Sequence, residues 1–230
     1  MSRPGPLFVA IDTQEVDRAR ALIAAVGTHA GGVKLGLEYF VARGPEGVRA
    51  VMQPDVPLFL DLKFHDIPNT VAGAVRSALA LRPAFMTIHA AGGRTMMRAA
   101  ADAARGSGCR LLAVTVLTSL DDADLASVGQ SGPSLDQVRR LAALARESGA
   151  DGIVCAPSEV AAIRAEVGPD FTLMVPGIRP VWAAAGDQKR AMPPKEAVAA
   201  GADHIVVGRP ITGAADPAEA ARRIMAEIEG

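Results

Sequence analysis

Short β-branched runs alternate with Ala-rich helical stretches from one end of this chain to the other. That alternation constrains the fold more than any other feature of the sequence. Candidate strands cover residues 7–12, 32–36, 58–63, 85–89, 111–117, 152–156, 172–175 and 204–208. Helical patterns fall between them at 14–26, 70–81, 94–105, 135–147, 158–166 and 195–200. A last helix is expected over 217–228, with Asp216 as its N-cap and Pro217 at the first helical position. Gly44-Pro45 interrupts the second connection, ahead of a helix through 48–52. Strand–helix alternation builds βαβ units around a parallel sheet. Eight such repeats in 230 residues lie near the lower size limit of a (β/α)8 TIM barrel. The open doubly wound alternative normally carries a Gly-rich dinucleotide turn after its first strand, and Asp12-Thr13-Gln14-Glu15 is not one. No linker or low-complexity segment divides the chain, so residues 1–230 are expected to form one α/β barrel domain.

Charge and apolar content narrow the partners. Lys and Arg number 24 against 25 Asp and Glu, a formal net charge of −1, whereas a nucleic-acid binder usually shows a basic excess. With 50% hydrophobic residues the chain has too much apolar bulk to stay disordered. No apolar run approaches the ~18 residues of a membrane span. Met1-Ser2-Arg3-Pro4-Gly5-Pro6 leads straight into a strand pattern without a signal-peptide layout. Neither nucleic acid nor a membrane is an expected partner, and the cytoplasm is the expected compartment. Cys109 and Cys155 make neither a disulfide framework nor a zinc motif. Cys155, closing the run Gly152-Ile153-Val154, reads as a small buried hydrophobe.

Strand residues two apart share a face. In the first strand Leu7, Val9 and Ile11 oppose Phe8, Ala10 and Asp12; in the third, Leu58, Leu60 and Leu62 oppose Phe59, Asp61 and Lys63. In the second, Lys34 shares its face with Gly36; in the fourth, Phe85, Thr87 and His89 align. The aliphatic faces suit the outer helices. Asp12, Lys34, Asp61 and Lys63 then converge at the C-terminal strand ends, where this fold carries its chemistry. Four charges there are costly to bury unless paired, so a structural ion-pair network is the competing reading. Asp66 adds a third carboxylate, or else caps the helix that begins near Pro68. His65 and His89 read as hydrogen-bonded structural residues.

A second cluster is C-terminal. Pro176-Gly177-Ile178-Arg179-Pro180 follows the seventh strand, and Val206-Val207-Gly208-Arg209-Pro210 ends the eighth. Barrels often bind phosphate with the loops after these two strands. Gly208 admits close backbone approach, Arg179 and Arg209 offer forked hydrogen bonds, and Gln188 adds a neutral donor. The long Gly/Pro/Ala connection containing Gln188 has the make-up of a lid.

Taken together, these motifs resemble the bacterial orotidine 5′-phosphate decarboxylases over nearly the whole chain. The most specific stretch is Asp61-Leu62-Lys63-Phe64-His65-Asp66-Ile67-Pro68-Asn69-Thr70, supported by Ala10-Ile11-Asp12, Val33-Lys34-Leu35-Gly36, Val114-Thr115-Val116-Leu117-Thr118-Ser119, Pro176-Gly177-Ile178-Arg179, Gly186-Asp187-Gln188-Lys189-Arg190 and Val206-Val207-Gly208-Arg209-Pro210-Ile211-Thr212. The resemblance implies a homodimer of barrels that converts orotidine 5′-monophosphate to UMP and CO2, the last step of UMP synthesis. It implies catalysis by an alternating array of Lys34, Asp61, Lys63 and Asp66, with Asp66 supplied by the partner subunit and Lys63 as proton donor. Asp12, Lys34 and the partner's Thr70 would hold the ribose, Thr118 would lie near the base, and Arg179, Gln188, Gly208 and Arg209 would bind phosphate. No cofactor or metal is expected, and without an electron sink the stabilisation must be electrostatic.

Trp182 and Met192-Pro193-Pro194 depart from the family's usual residues, in or beside the expected lid. A related Mg2+-dependent barrel, the 3-keto-L-gulonate 6-phosphate decarboxylase, shares the Asp-x-Lys-x-x-Asp spacing but usually carries an acidic residue where this chain has Lys34. A non-catalytic phosphate-binding barrel has no need for two buried lysines.

Overall fold

A computed structural model of the chain describes residues 4–183 and 192–230. Eight parallel strands close into a barrel in sequence order: β1 (Leu7–Ala10), β2 (Gly32–Gly36), β3 (Leu58–Phe64), β4 (Phe85–His89), β5 (Arg110–Val114), β6 (Gly152–Val154), β7 (Thr172–Val175) and β8 (His204–Val207). Around them lie α1 (Val16–Val26), α2 (Leu37–Val51), α3 (Pro68–Ala78), α4 (Gly93–Ala104), α5 (Asp122–Ser127), α6 (Ser134–Glu147), α7 (Val160–Val167), α8 (Pro194–Ala199), α9 (Arg209–Thr212) and α10 (Pro217–Glu229). This is the (β/α)8 architecture that the strand–helix alternation predicts.

Two-residue alternation sorts the core into two layers. Leu7, Val9, Ile11, Val33, Leu35, Leu58, Leu60 and Leu62 join the large cluster between barrel and helices. Phe8, Ala10, Phe59, Phe85, Leu112, Met174 and Val206 form the separate inner cluster. The helices bury matching stripes, such as Ala19, Leu22, Ile23 and Val26 in α1 and Val138, Leu141, Ala142 and Ala145 in α6. Each fully buried Leu, Ile or Val contributes about 1.5–3 kcal/mol.

The N-terminal end of the barrel is plugged by aromatic rings. Phe8 meets Phe85 and His204 edge-on, with centroids 5.5 and 5.4 Å apart. The fully buried His204 points its Nδ1 at the Gly5 carbonyl, 3.0 Å away. Two carboxylates at strand starts tie down neighbouring strands. Asp151 accepts the Leu111 N–H at 2.7 Å, and Asp203 accepts the Leu173 N–H at 2.8 Å while pairing with Arg164.

The strand ends differ from the sequence expectation. β1, β5, β6 and β8 stop one to three residues earlier, because a strand lasts only as long as its neighbour offers ladder partners; the Ile11 N–H still reaches the Lys34 carbonyl at 3.0 Å, and Asp12 lies beyond. β3 runs one residue longer, to Phe64, across an irregularity in its pairing with β4. α2 is kinked at Gly44 (φ 61°, ψ −168°) immediately before Pro45. Only glycine takes this backbone without strain, and the residue before proline is barred from the helical region. The Tyr39 hydroxyl braces the kink by donating to the Gly47 carbonyl at 2.8 Å. Asp216 caps α10 as expected, accepting the Glu219 N–H. The alternative reading of Asp66 as the cap of α3 does not hold: Ile67 occupies the N-cap position, and Asp66 accepts the adjacent Ile67 N–H. α5, closed by an Asp121/Asp124 capping box, and the four-residue α9 have no counterpart in the sequence reading.

Candidate active site

The inward faces of β1 to β3 deliver alternating charges to the C-terminal mouth. Register sets Ala10 beside Lys34 and Gly36 beside Asp61, so consecutive strands offer acid, base, acid. The Lys34 ammonium lies 3.5 Å from Asp12 Oδ1 and 3.6 Å from Asp61 Oδ2. Lys63 Nζ donates to the same Asp61 Oδ2 at 2.8 Å. Asp12–Lys34–Asp61–Lys63 is thus a neutral row within one chain. Asp61 is its hub, with 8% of its surface exposed. Burial alone would raise the Asp61 pKa. The charges of Lys34 and Lys63 and the hydrogen bonds from Lys63 and Thr87 outweigh that and hold it below its ordinary value. Gly36 leaves room for the row: a Cβ there would stand 2.9 Å from Lys34 Nζ.

Lys63 adopts φ 50°, in the left-handed region, at a cost of about 1–3 kcal/mol for a non-glycine residue. It sits on the β3 irregularity. Its N–H donates to Thr87 Oγ1 at 2.8 Å, and the Thr87 hydroxyl donates to Asp61 Oδ1 at 2.9 Å. Nearby, the His65 and His89 rings stack with centroids 5.2 Å apart. Burial, then the charges of His65 and Lys63, lower the His89 pKa, and its Nδ1 accepts the Ala91 N–H. His89 fits the hydrogen-bonded structural role expected of it, whereas His65 is exposed and, among the described residues, makes only the ring stack.

The row overlooks a cleft in two halves. One is a cavity of about 210 Å³ lined by Phe59, Val114, Val154 and Val206 together with Thr118, Cys155 and the two lysines. The other, of about 500 Å³, carries Asp12, Glu38, Arg179, Gly208 and Arg209. Lys34, Pro176 and Val206 belong to both. One half therefore suits a flat apolar ring and the other an anion. Burial and then the like charge of neighbouring Arg209 lower the Arg179 pKa, as expected of two guanidiniums converging on one space. At Gly208 a Cβ would meet only ordinary contacts, 3.5 Å from the Ala10 Cβ and 3.8 Å from Asp12 Oδ2. Protein packing alone does not call for glycine there.

The structure thus brings together Asp12, Lys34, Asp61, Lys63, Thr118, Arg179, Gly208 and Arg209. Asp66 and Thr70 are exposed and line neither half of their own chain's cleft. Gln188 lies outside the described residues, as do residues 184–191 of the expected lid. Trp182, just before that stretch, is held under the Arg223 guanidinium, 4.6 Å from its ring centroid. Glu38 was not named in the sequence, and Thr87 and Cys155 were named there without a role in the site. Thr87 had a signal: a hydroxyl on the inward face of β4, between Phe85 and His89.

A charged row over an apolar pocket, beside an anion site, can hold a phosphorylated ring compound and stabilise negative charge developing on it. Comparison with known proteins agrees. Residues 5–224 match the model of the orotidine 5′-phosphate decarboxylase / HUMPS family. The chain is 58% identical to a Paramagnetospirillum magneticum protein named orotidine 5′-phosphate decarboxylase, over 97% of this chain and 98% of the relative. It is 55% identical to one of the same name from Thermobifida fusca, over 97% of this chain and 96% of that one. The crystal structure of orotidine 5′-phosphate decarboxylase from Lactobacillus acidophilus superposes with a TM-score of 0.87 at 36% identity, covering 98% of this chain and all of that one. The chain belongs to the orotidine 5′-phosphate decarboxylase / HUMPS family.

Proposed function

We infer that this chain decarboxylates orotidine 5′-monophosphate to UMP and CO2, the closing reaction of UMP synthesis. The observation that carries the reading is the Asp12–Lys34–Asp61–Lys63 row set over a ring-sized apolar cavity and beside a two-arginine pocket. Breaking the bond between C6 and the carboxylate leaves an electron pair in the plane of the pyrimidine ring, where the π system cannot delocalise it. Enzymes lower barriers by ~8–23 kcal/mol, and this reaction belongs toward the upper end. Stabilisation has to come from charge held in place before the reaction begins.

Lys63 has that role in our reading. Its ammonium faces the developing carbanion at C6, then gives it a proton; the amine regains a proton from solvent. Asp61 keeps the ammonium charged and aimed. Lys34 and Asp12 hold the ribose hydroxyls, and Thr118 lies at the edge of the base. Arg179, Gly208, Arg209 and Gln188 take the phosphate, whose binding energy contributes to the transition state although it is remote from C6.

We further propose a homodimer in which the partner's Asp66 and Thr70 complete each site. Both residues are exposed and line neither half of their own cleft, and large apolar side chains stand exposed on the same chain, Ile67 next to Asp66 and Leu37 and Val41 on α2. The partner's Asp66 would extend the row beyond Lys63 and give that ammonium a second carboxylate.

The test is purified protein with orotidine 5′-monophosphate and EDTA, followed by loss of the orotidylate ultraviolet absorbance. Rapid turnover is expected without added metal. Folded, dimeric protein that leaves the substrate unchanged, with EDTA or with Mg2+, would overturn the assignment.

A further inference from the structure

The pairing of β3 with β4 contains an irregularity that falls on the row of charges. Phe59 and Leu60 lie opposite Phe85 and Met86, and the ladder resumes only at Phe64 opposite Ile88. Between these points β3 spends Asp61, Leu62 and Lys63 against Thr87 alone. A bulge of this kind leaves backbone groups without their ladder partners. An N–H inside a barrel wall must find another acceptor.

Thr87 supplies it with its side chain. Its Oγ1 accepts the Lys63 N–H at 2.8 Å and donates its own proton to Asp61 Oδ1 at 2.9 Å. The other Asp61 oxygen, Oδ2, accepts from Lys63 Nζ at 2.8 Å. Thr87 is fully buried, so no water substitutes for its hydroxyl at either contact. The result is a closed loop: Lys63 backbone, Thr87 hydroxyl, Asp61 carboxylate, Lys63 ammonium. It acts at both ends of one side chain. At the backbone it secures Lys63 at φ 50°, a conformation that lysine otherwise leaves. At the head it fixes the rotation of the carboxylate that aims the ammonium.

We propose that Thr87 is a positioning residue for the decarboxylation, and that its hydroxyl sets the place of the Lys63 ammonium by bridging the Lys63 backbone to Asp61. The inference rests on the reading of Lys63 as proton donor to orotidylate. Threonine suits the task on two counts. Its β-branched stem fits the strand, and its hydroxyl can accept and donate at once. Serine keeps that chemistry, and valine keeps the shape without it.

The experiment compares Thr87→Val and Thr87→Ser with the unaltered protein on orotidine 5′-monophosphate. Turnover by the unaltered protein tests the assignment of activity separately. Thr87→Val should lower kcat roughly tenfold to a hundredfold with KM changed less than about threefold, because the phosphate pocket is untouched. Thr87→Ser should hold kcat within about threefold. A Val variant within twofold of the original kcat overturns the proposal. So does a Ser variant that loses as much as the Val variant, since a hydroxyl would then not be what matters. A loss that appears in KM alone also overturns it. Should Thr87→Val not fold, Thr87→Cys, which keeps the size with a weak donor and acceptor, takes its place under the same criteria.

Discussion

Replacing Asp61 by asparagine should cost the folded state far more than removing the lysine that it holds most closely. Asp61 Oδ2 is shared between Lys63 at 2.8 Å and Lys34 at 3.6 Å. At an effective dielectric constant of about 20, each attraction amounts to about 5 kcal/mol before desolvation is subtracted. Most of that is offset by the cost of burying the charges, but taking away one partner leaves the desolvation unbalanced. The usual loss is about 3–5 kcal/mol. The Lys34 side chain is only 13% exposed, whereas Lys63 is 29% exposed and regains some hydration. The lower end, about 3 kcal/mol, therefore applies. For a domain of this size that lowers Tm by roughly 6–12 °C. Lys63→Ala leaves Asp61 still paired with Lys34 and bonded to Thr87, so its loss should stay near about 1 kcal/mol, although turnover disappears in both variants. Thermal unfolding followed by circular dichroism separates the two. Adding Lys63→Met to Asp61→Asn should restore part of the loss, since one unpaired cation is then removed. The sign with pH follows from the depressed Asp61 pKa. Its stabilising contribution is present above the unfolded value and lost as pH falls through the folded one, so the gap to Asp61→Asn should narrow below pH 3.8. Equal melting temperatures for Asp61→Asn and Lys63→Ala would refute the idea that Asp61 is the hub.

Three further outcomes are expected. Lys63→Gly should be more stable than Lys63→Ala by about 1 kcal/mol, reversing the usual order in a strand, because only glycine is at ease at φ 50°; chemical denaturation of the two variants checks it. Arg209→Ala should lose far more kcat/KM on orotidine 5′-monophosphate than on orotidine, and equal losses would remove Arg209 from phosphate binding. Mixing inactive Lys63→Ala and Asp66→Ala chains, with subunit exchange, should restore about a quarter of the original activity, since half of the dimers then hold one intact site of two; a mixture that stays inactive after proven exchange would place Asp66 outside the partner's site.

The parts of this site that follow from local chemistry were legible in the sequence. Two-residue alternation in β1 and β3 was enough to separate Leu7, Val9 and Ile11 from Phe8 and Ala10, and to set Asp61 and Lys63 on one face at the barrel mouth. What escaped depends on pairing between distant segments. The bulge opposite Thr87 arises from register with β4, and nothing in Asp61-Leu62-Lys63 announces a left-handed lysine. The ends of β5 and β6 overshot because Val116, Leu117 and Ala156 keep an apolar composition beyond the last inter-strand bonds, which the Thr115 and Cys155 N–H groups make to Val154 and Met174. α5 was missed because Asp121 and Asp124 cap a helix too short for a periodic stripe. The placement of Asp66 and Thr70 away from their own cleft could not come from periodicity; only the family resemblance pointed to a second subunit.

The two cysteines carry a consequence of a different kind. Both are free and buried. Burial, reinforced by Asp151, pushes the Cys109 thiol up to about 12. Burial, reinforced by Glu159, pushes Cys155 up as well, even though it stands in the wall of the cleft. Alkylation of a cysteine requires a thiolate, so an electrophile small enough to enter the cleft finds little thiolate at Cys155. The thiols answer only when the wall around β5 and β6 comes apart. The protein therefore carries its own gauge of spontaneous opening: the pace at which a mild alkylating agent consumes Cys109 and Cys155 counts the excursions of that side of the barrel, one molecule at a time, under native conditions.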